Sequence, residues 1–267
     1  MGSTVLSGTA KASQRPISGR QAGRQSRLWP AIYSVAVLAA VCLTVVIQPS
    51  FSIWFSADWS TGKAETRNIH LEDGSLVHLG AGSALQIDFD EGFRRVKLLS
   101  GEAYFEVEPD KNRPFQVVAG NVDATVLGTA FDVKIMSEAV AVAVNHGRVA
   151  VDSSAANQQV GSPLEAGDWV RIDSNGQVAR GNDMPELVGS WRSGMLAVKD
   201  QTISDVVDEI RRQYKGKIVL ASDDLGNRRV TGVYDLNKPM DALTALVQVH
   251  GARIRQISPW LTVVSTF

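Results

Sequence analysis

The sequence predicts a single-pass membrane protein whose exported part is an all-β domain, solenoid or jelly-roll-like, followed by a small α/β domain built as a βαβ repeat. Three observations carry this. An uncharged run extends from Trp29 to Ile47, short alternating segments fill the stretch from Arg67 to about Ala179, and a helical period sets in after Trp191. The expected boundaries are a basic cytoplasmic segment at 1–28, a transmembrane helix at 29–48 and a juxtamembrane linker at 49–64. The β domain follows at 65–180, a second linker at 181–189 and the α/β domain at 190–267.

At 1.5 Å per residue the run from Trp29 to Ile47 nearly matches a bilayer core of about 30 Å. Lys11, Arg15, Arg20, Arg24 and Arg27 precede it, and no Asp or Glu does. The positive-inside rule therefore predicts a cytoplasmic N-terminus and export of everything from Gln48 onward. A cleaved signal peptide fits less well. The run is longer than a signal core, apolar residues resume at Phe51-Ser52-Ile53-Trp54-Phe55, and no small-x-small triplet follows. Cys42, the single cysteine, lies within the run as a packed thiol, so the exported part folds without disulfides. Of 27 Lys and Arg, the five just named leave 22 against 28 Asp and Glu, a net −6 beyond residue 28. That balance speaks against a nucleic-acid partner.

The β elements follow from alternation broken by turn residues. Asn68-Ile69-His70-Leu71 and Leu76-Val77-His78-Leu79 flank Glu72-Asp73-Gly74-Ser75, a hairpin signal because Asp-Gly suits a two-residue turn with positive φ. With that turn Ile69 pairs with His78 and His70 with Val77, so the two histidines face opposite ways. Further strands are expected at 84–89, 95–99, 103–107, 115–118, 124–127, 131–134, 141–144 and 148–151. After Trp191, Gly194 to Val198 is strand-like. Ile203, Val206, Val207, Ile210 and Tyr214 then recur at helical spacing behind Thr202 as N-cap, and Lys217 to Leu220 closes the first βαβ unit. The second runs from Arg229 to Val233, through a helix opened by Pro239 and striped by Met240, Leu243, Leu246 and Val247, past Gly251 to Arg253-Ile254-Arg255.

Leu71-Glu72-Asp73-Gly74-Ser75, the segment from Leu99 to Val107, Arg113-Pro114-Phe115-Gln116-Val117 and the segment from Val126 to Val133 resemble, in order and spacing, the FecR family of transmembrane signalling regulators. The resemblance continues through Val144 to Val151, Leu164 to Gly167 and Trp191 to Leu196. The terminal repeat resembles an STN-type signalling module. This implies an anti-sigma-factor regulator that relays the state of an outer-membrane TonB-dependent transporter, often one for ferric siderophores, to an extracytoplasmic-function sigma factor. The implied contact with the transporter's periplasmic signalling domain lies in the C-terminal domain starting at Trp191. Family members carry a folded helical sigma-binding domain before the membrane. Here residues 1–28 lack apolar periodicity and cannot build a core, so sigma-factor contact is the part of the family pattern matched least. A membrane-anchored periplasmic scaffold without sigma-factor control is the competing function class.

The resemblance also implies self-cleavage between Gly128 and Thr129. The Thr hydroxyl attacks the preceding carbonyl, exchanging the amide for an ester that water hydrolyses, and Gly leaves the carbonyl unshielded. An ordinary strand bend is the alternative for this pair. His146 is placed in a solvated turn, and Glu72, Asp73, Asp88, Asp90 and Glu91 likewise at solvated turns. With no nucleophile–His–acid set and no paired histidines, no enzymatic turnover, metal, cofactor or small-molecule substrate is expected.

Overall fold

Alternating apolar and polar residues give each strand one face to bury, and two seven-stranded sheets close on one another to bury it. The computed structural model describes residues 56–156 and 158–266. The uncharged run at 29–47 and the expected cytoplasmic segment lie outside them; among the described residues no helix is long and apolar enough to cross a membrane. The first sheet joins β1 (Trp59–Ser60), β4 (Ala84–Phe89), β5 (Arg94–Ser100), β7 (Phe115–Ala119), β8 (Val122–Val126), β11 (Ala150–Ser153) and β12 (Gln158–Gln159) in that spatial order. The second joins β14 (Val178–Asn182), β13 (Asp168–Asp173), β10 (Ala139–His146), β9 (Ala130–Ile135), β6 (Glu102–Glu106), β3 (Leu76–Leu79) and β2 (Arg67–His70). The architecture is thus a two-sheet sandwich. Its strand pairs are antiparallel except β5 with β7.

Aromatic residues from both sheets fill the space between them. Phe105 of β6 stacks on Phe131 of β9 at 5.2 Å between centroids and meets Phe115 of β7 from the facing sheet at 6.0 Å. All three are fully buried, each worth roughly 1.5–3 kcal/mol relative to exposure.

The first hairpin departs from expectation by one residue. Ile69 pairs with Val77 and Asn68 with His78, because the loop is three residues long: Leu71 N–H donates to Ser75 O at 2.9 Å, and Gly74 takes φ +89°. A one-residue slip turns every side chain over, so His70 and His78 share a face instead of opposing. They do not form a pair even so. His78 is held by Asn68 Oδ1 at 2.9 Å and Glu106 Oε1 at 3.0 Å, and among the described residues no three potential ligands cluster around a metal position.

The C-terminal elements are β15 (Met195–Thr202), α1 (Ile203–Gln213), β16 (Lys217–Leu220), the single turn α2 (Asp223–Gly226), β17 (Arg229–Asp235), α3 (Pro239–Gln248), β18 (Arg253–Ser258) and β19 (Leu261–Ser265). Thr202 caps α1 by accepting from Asp205 N–H at 3.1 Å, and Ile203, Val206, Val207 and Ile210 are fully buried. The strands do not pair within each βαβ unit. β15 pairs antiparallel with β17, its counterpart in the second unit, while β19, which has no counterpart in the repeat, takes the centre of a second sheet between β16 and β18. The repeat is therefore one of element order, with equivalent strands brought together across the two units.

Asp73 corrects a second expectation, since it is buried rather than solvated. The three-residue loop turns its carboxylate inward, where it accepts from Ser75 N–H at 3.0 Å, Ser75 Oγ at 2.7 Å and Arg94 Nη1 at 2.7 Å. Arg94, fully buried at the start of β5, also donates to Arg113 O and Glu108 O at 2.8 and 2.9 Å and lies 5.5 Å from the Phe115 ring centroid. One ion pair thereby ties the first hairpin, β5 and the 108–114 loop together. Asp73→Ala leaves a guanidinium buried without its counter-charge and is expected to lower stability by about 3–5 kcal/mol in denaturant titration. Combining it with Arg94→Met should recover part of the loss; no recovery would show that the pair is not the source.

Candidate functional site

Gly128 and Thr129 lie where the chain leaves β8 in the first sheet for β9 in the second. The crossing is pinned on both sides: Asp110 N–H donates to Leu127 O at 2.9 Å and Val107 N–H to Thr129 O at 3.0 Å. Gly128 adopts φ +154°, and a Cβ there would sit 2.8 Å from Pro109 Cα, so backbone approach excludes a side chain. The Thr129 side chain is buried, and its hydroxyl donates to Arg148 O at 2.9 Å. Gly147 packs over the bond; a Cβ there would meet Thr129 Oγ1 at 2.8 Å and Gly128 O at 3.1 Å.

A crowded carbonyl beside a fixed hydroxyl is the raw material for an N-to-O acyl shift. His146, paired in register with Ala130, is one residue from Thr129 along β9, but its exposed ring contacts Asn145 Oδ1 at 3.3 Å. The Thr129 hydroxyl is engaged with a backbone carbonyl rather than with this imidazole.

Trp191 and the C-terminal layer meet the sandwich at the outer face of the second sheet. β6 and β9 point Phe105, Phe131 and Val133 inward, and so point Glu102, Tyr104, Asp132 and Lys134 outward. Trp191, in a 3-10 turn spanning Ser190–Ser193, is buried and donates Nε1–H to Asp132 Oδ1 at 2.9 Å. Beside it the Arg192 guanidinium lies 3.6 Å from the Tyr104 ring centroid and pairs with Glu106 at 3.0 Å. α1 covers the rest. Glu209 pairs with Lys134 at 2.8 Å and with Arg212 at 3.6 Å, Arg212 Nη2 donates to Ile135 O at 2.8 Å, and Asp205 pairs with Arg171 of β13 at 3.0 Å.

The carboxyls in this layer do not behave alike. Burial, reinforced by the neighbouring Asp132 and Glu209, holds Glu102 well above the usual carboxylate range, despite Lys134 beside it. Burial likewise raises Asp132, to about 6, against the Trp191 hydrogen bond. For Glu209 the burial penalty is outweighed by Lys134 and Arg212, which lower it. Lys134 is raised because Glu102 and Glu209 together overcome its own desolvation. Nothing in the alternation of either strand had singled these residues out. The available sign was the run of Glu102, Asp132 and Lys134 at outward positions of central strands, where charges survive only if something covers and pairs them.

Residues 57–150 match the family described as FecR protein. The FecR match covers β1 to β10, including the Asp73–Arg94 pair and the Gly128-Thr129 crossing, and stops short of the C-terminal layer. Two crystal structures of a "putative anti-sigma factor" from Parabacteroides distasonis ATCC 8503, at 1.65 and 2.50 Å resolution, share the fold further. Each is 29% identical with a TM-score of 0.70, covering 78% of this chain and 98% of that one. No curated protein matches the chain.

The close approach at Gly128 yields a direct expectation. Gly128→Ala places a methyl against Pro109 backbone in a region of φ that L-residues rarely adopt, and should destabilise the sandwich by about 1–3 kcal/mol. Thermal unfolding of the two proteins side by side checks this, and an unchanged midpoint would mean the crossing relaxes without strain.

Proposed function

We propose that this chain is a membrane-anchored signal-relay regulator of the FecR type, held in a bacterial inner membrane by residues 29–48 with its sandwich and C-terminal layer in the periplasm. The observation that carries the reading is the FecR match at 57–150 joined to a fold likeness that covers 78% of the chain. In this reading the signal enters from the periplasmic signalling domain of an outer-membrane TonB-dependent transporter, probed with ferric-siderophore systems first, and leaves toward an extracytoplasmic-function sigma factor. The C-terminal layer, STN-like in its element order, is the receiving end. Among the described residues β15 and β17 pair only with each other and leave an unpaired edge apiece, beside exposed Met195 and Val233. An incoming strand can extend such an edge through main-chain hydrogen bonds.

The test is binding of the full chain to the purified signalling domain of a transporter from the same cell. Val233→Asp, at a side chain 59% exposed, is expected to weaken that binding about tenfold, or about 1.4 kcal/mol, while leaving the unfolding midpoint in place. Absence of binding to every such domain in the cell would remove the input end of the relay.

Self-cleavage at Gly128-Thr129 belongs to the same proposal. Buried Thr129 lies within a crowded, glycine-flanked crossing, which supports it. Thr129→Ala removes the attacking oxygen and is expected to abolish cutting, whereas Thr129→Ser keeps a hydroxyl and should retain a fraction. Intact-mass measurement on protein made without periplasmic proteases reads the outcome; equal cutting of wild type and Thr129→Ala would assign the bond an ordinary structural role.

A further inference from the structure

Among the described residues, the densest buried charge outside the Gly128-Thr129 crossing is the five-residue cluster between the second sheet and α1. Glu102 and Lys134 face each other across β6 and β9, Asp132 lies two pairs further along on the same face, and Glu209 and Arg212 descend on them from α1. Lys134 acts on all three acids, Glu102, Asp132 and Glu209. Charge counting gives the number of protons the cluster holds. Three carboxyls with a single proton carry −2, which Lys134 and Arg212 cancel, and any further loss would leave an uncompensated charge in a site sealed by Trp191 and α1.

We propose that this cluster is a one-proton latch: with one proton held among its three carboxyls, α1 stays docked on the second sheet, and loss of that proton to solvent releases it. It stands on the cluster alone and holds whether or not the chain relays a signal. The groups facing Glu102 are Lys134 and Asp132 on β9 and Glu209 and Arg212 on α1. Trp191 seals the Asp132 side. Two further α1 contacts with the sandwich, Asp205 with Arg171 and Asp208 with Ser137, lie outside this cluster.

The sign follows from proton counting. The docked state keeps a proton that the released, solvated carboxyls give up above about pH 4–5. Docking is therefore complete in mild acid and weakens as pH rises, by about tenfold in the opening equilibrium per pH unit while one proton separates the two states. Glu209, lowered by its cationic partners, adds an opposite loss only in stronger acid.

Hydrogen exchange on the purified full chain, corrected for the chemical rate at each pH, reads the latch. Protection of α1 amides at 203–213 is expected to fall steeply above pH 5 in wild type while α3 at 239–248 holds steady. In Glu102→Gln, whose amide donates without titrating, α1 should stay protected throughout. A wild-type α1 profile that is flat, a Glu102→Gln profile as steep as wild type, or α3 opening in step with α1 would each overturn the latch. Infrared spectroscopy of wild type provides a check that needs no variant. A protonated-carboxyl band must be present at mildly acidic pH and vanish over the range in which α1 loses protection; its absence, or its persistence after α1 opens, would equally sink the proposal.

Discussion

Burial of β6 and β9 on both faces is the constraint around which the molecule is arranged. Central strands of a two-sheet sandwich usually bury one face and wet the other, and here the outer face carries Glu102, Asp132 and Lys134 at neighbouring positions. Once covered, those charges must be paired, and the sandwich by itself supplies only Lys134. The balancing groups, Glu209 and Arg212, come from a helix some seventy residues later in the chain, and the indole that seals the site comes from Trp191. The hydrophobic cluster of the C-terminal layer likewise takes in Tyr104 and Ala130 from the same two strands. The two layers are therefore not a domain and an appendage. Each completes the burial of the other.

Much of this was legible in the sequence where one periodicity acts alone. Ala84–Phe89 begins and ends where alternation places it, and Thr202 caps α1 because a hydroxyl ahead of an apolar stripe has an orphan N–H within reach. What resisted reading depends on partners distant in sequence. The first hairpin slipped by one residue because Asp73 is drawn inward to Arg94, which takes the turn out of the two-residue class that Asp-Gly favours locally. The strand partners of the βαβ repeat were misplaced for a similar reason. Local pattern gives the order of elements, but β19, outside the repeat, decides which strands lie side by side. Strand β13 lies outside the expected set although Trp169-Val170-Arg171-Ile172 carries a plain alternating signal.

The Gly128-Thr129 crossing shows how one geometry meets two demands. Its backbone must pass against Pro109, which requires glycine, and it must present Leu127 and Thr129 carbonyls to N–H groups of the 107–110 segment, which fixes the peptide on both sides. A bond held this firmly is either structural or reactive. The hydroxyl's hydrogen bond to Arg148 O orients it without activating it, because a carbonyl accepts the proton's attraction but does not remove the proton. Any cutting must therefore draw on strain and crowding rather than on a base.

The topology determines what such a cut would accomplish. β8 and β9 flank the bond, and each pairs on one side with a strand of the other fragment: β9, between β6 and β10, takes β6, and β8, between β7 and β11, takes β11. The fragments would thus share both sheets and the Phe105–Phe131 stack, and severing one peptide bond would free neither. Separation requires the β6–β9 and β8–β11 ladders to open. The outer face of β6 and β9 is the one that α1 and Trp191 cover, so the docked layer clamps the same ladder that would hold a cut chain together. Undocking of α1 and parting of the fragments are in this way coupled through a single pair of strands, and whatever loosens the first weakens the barrier to the second.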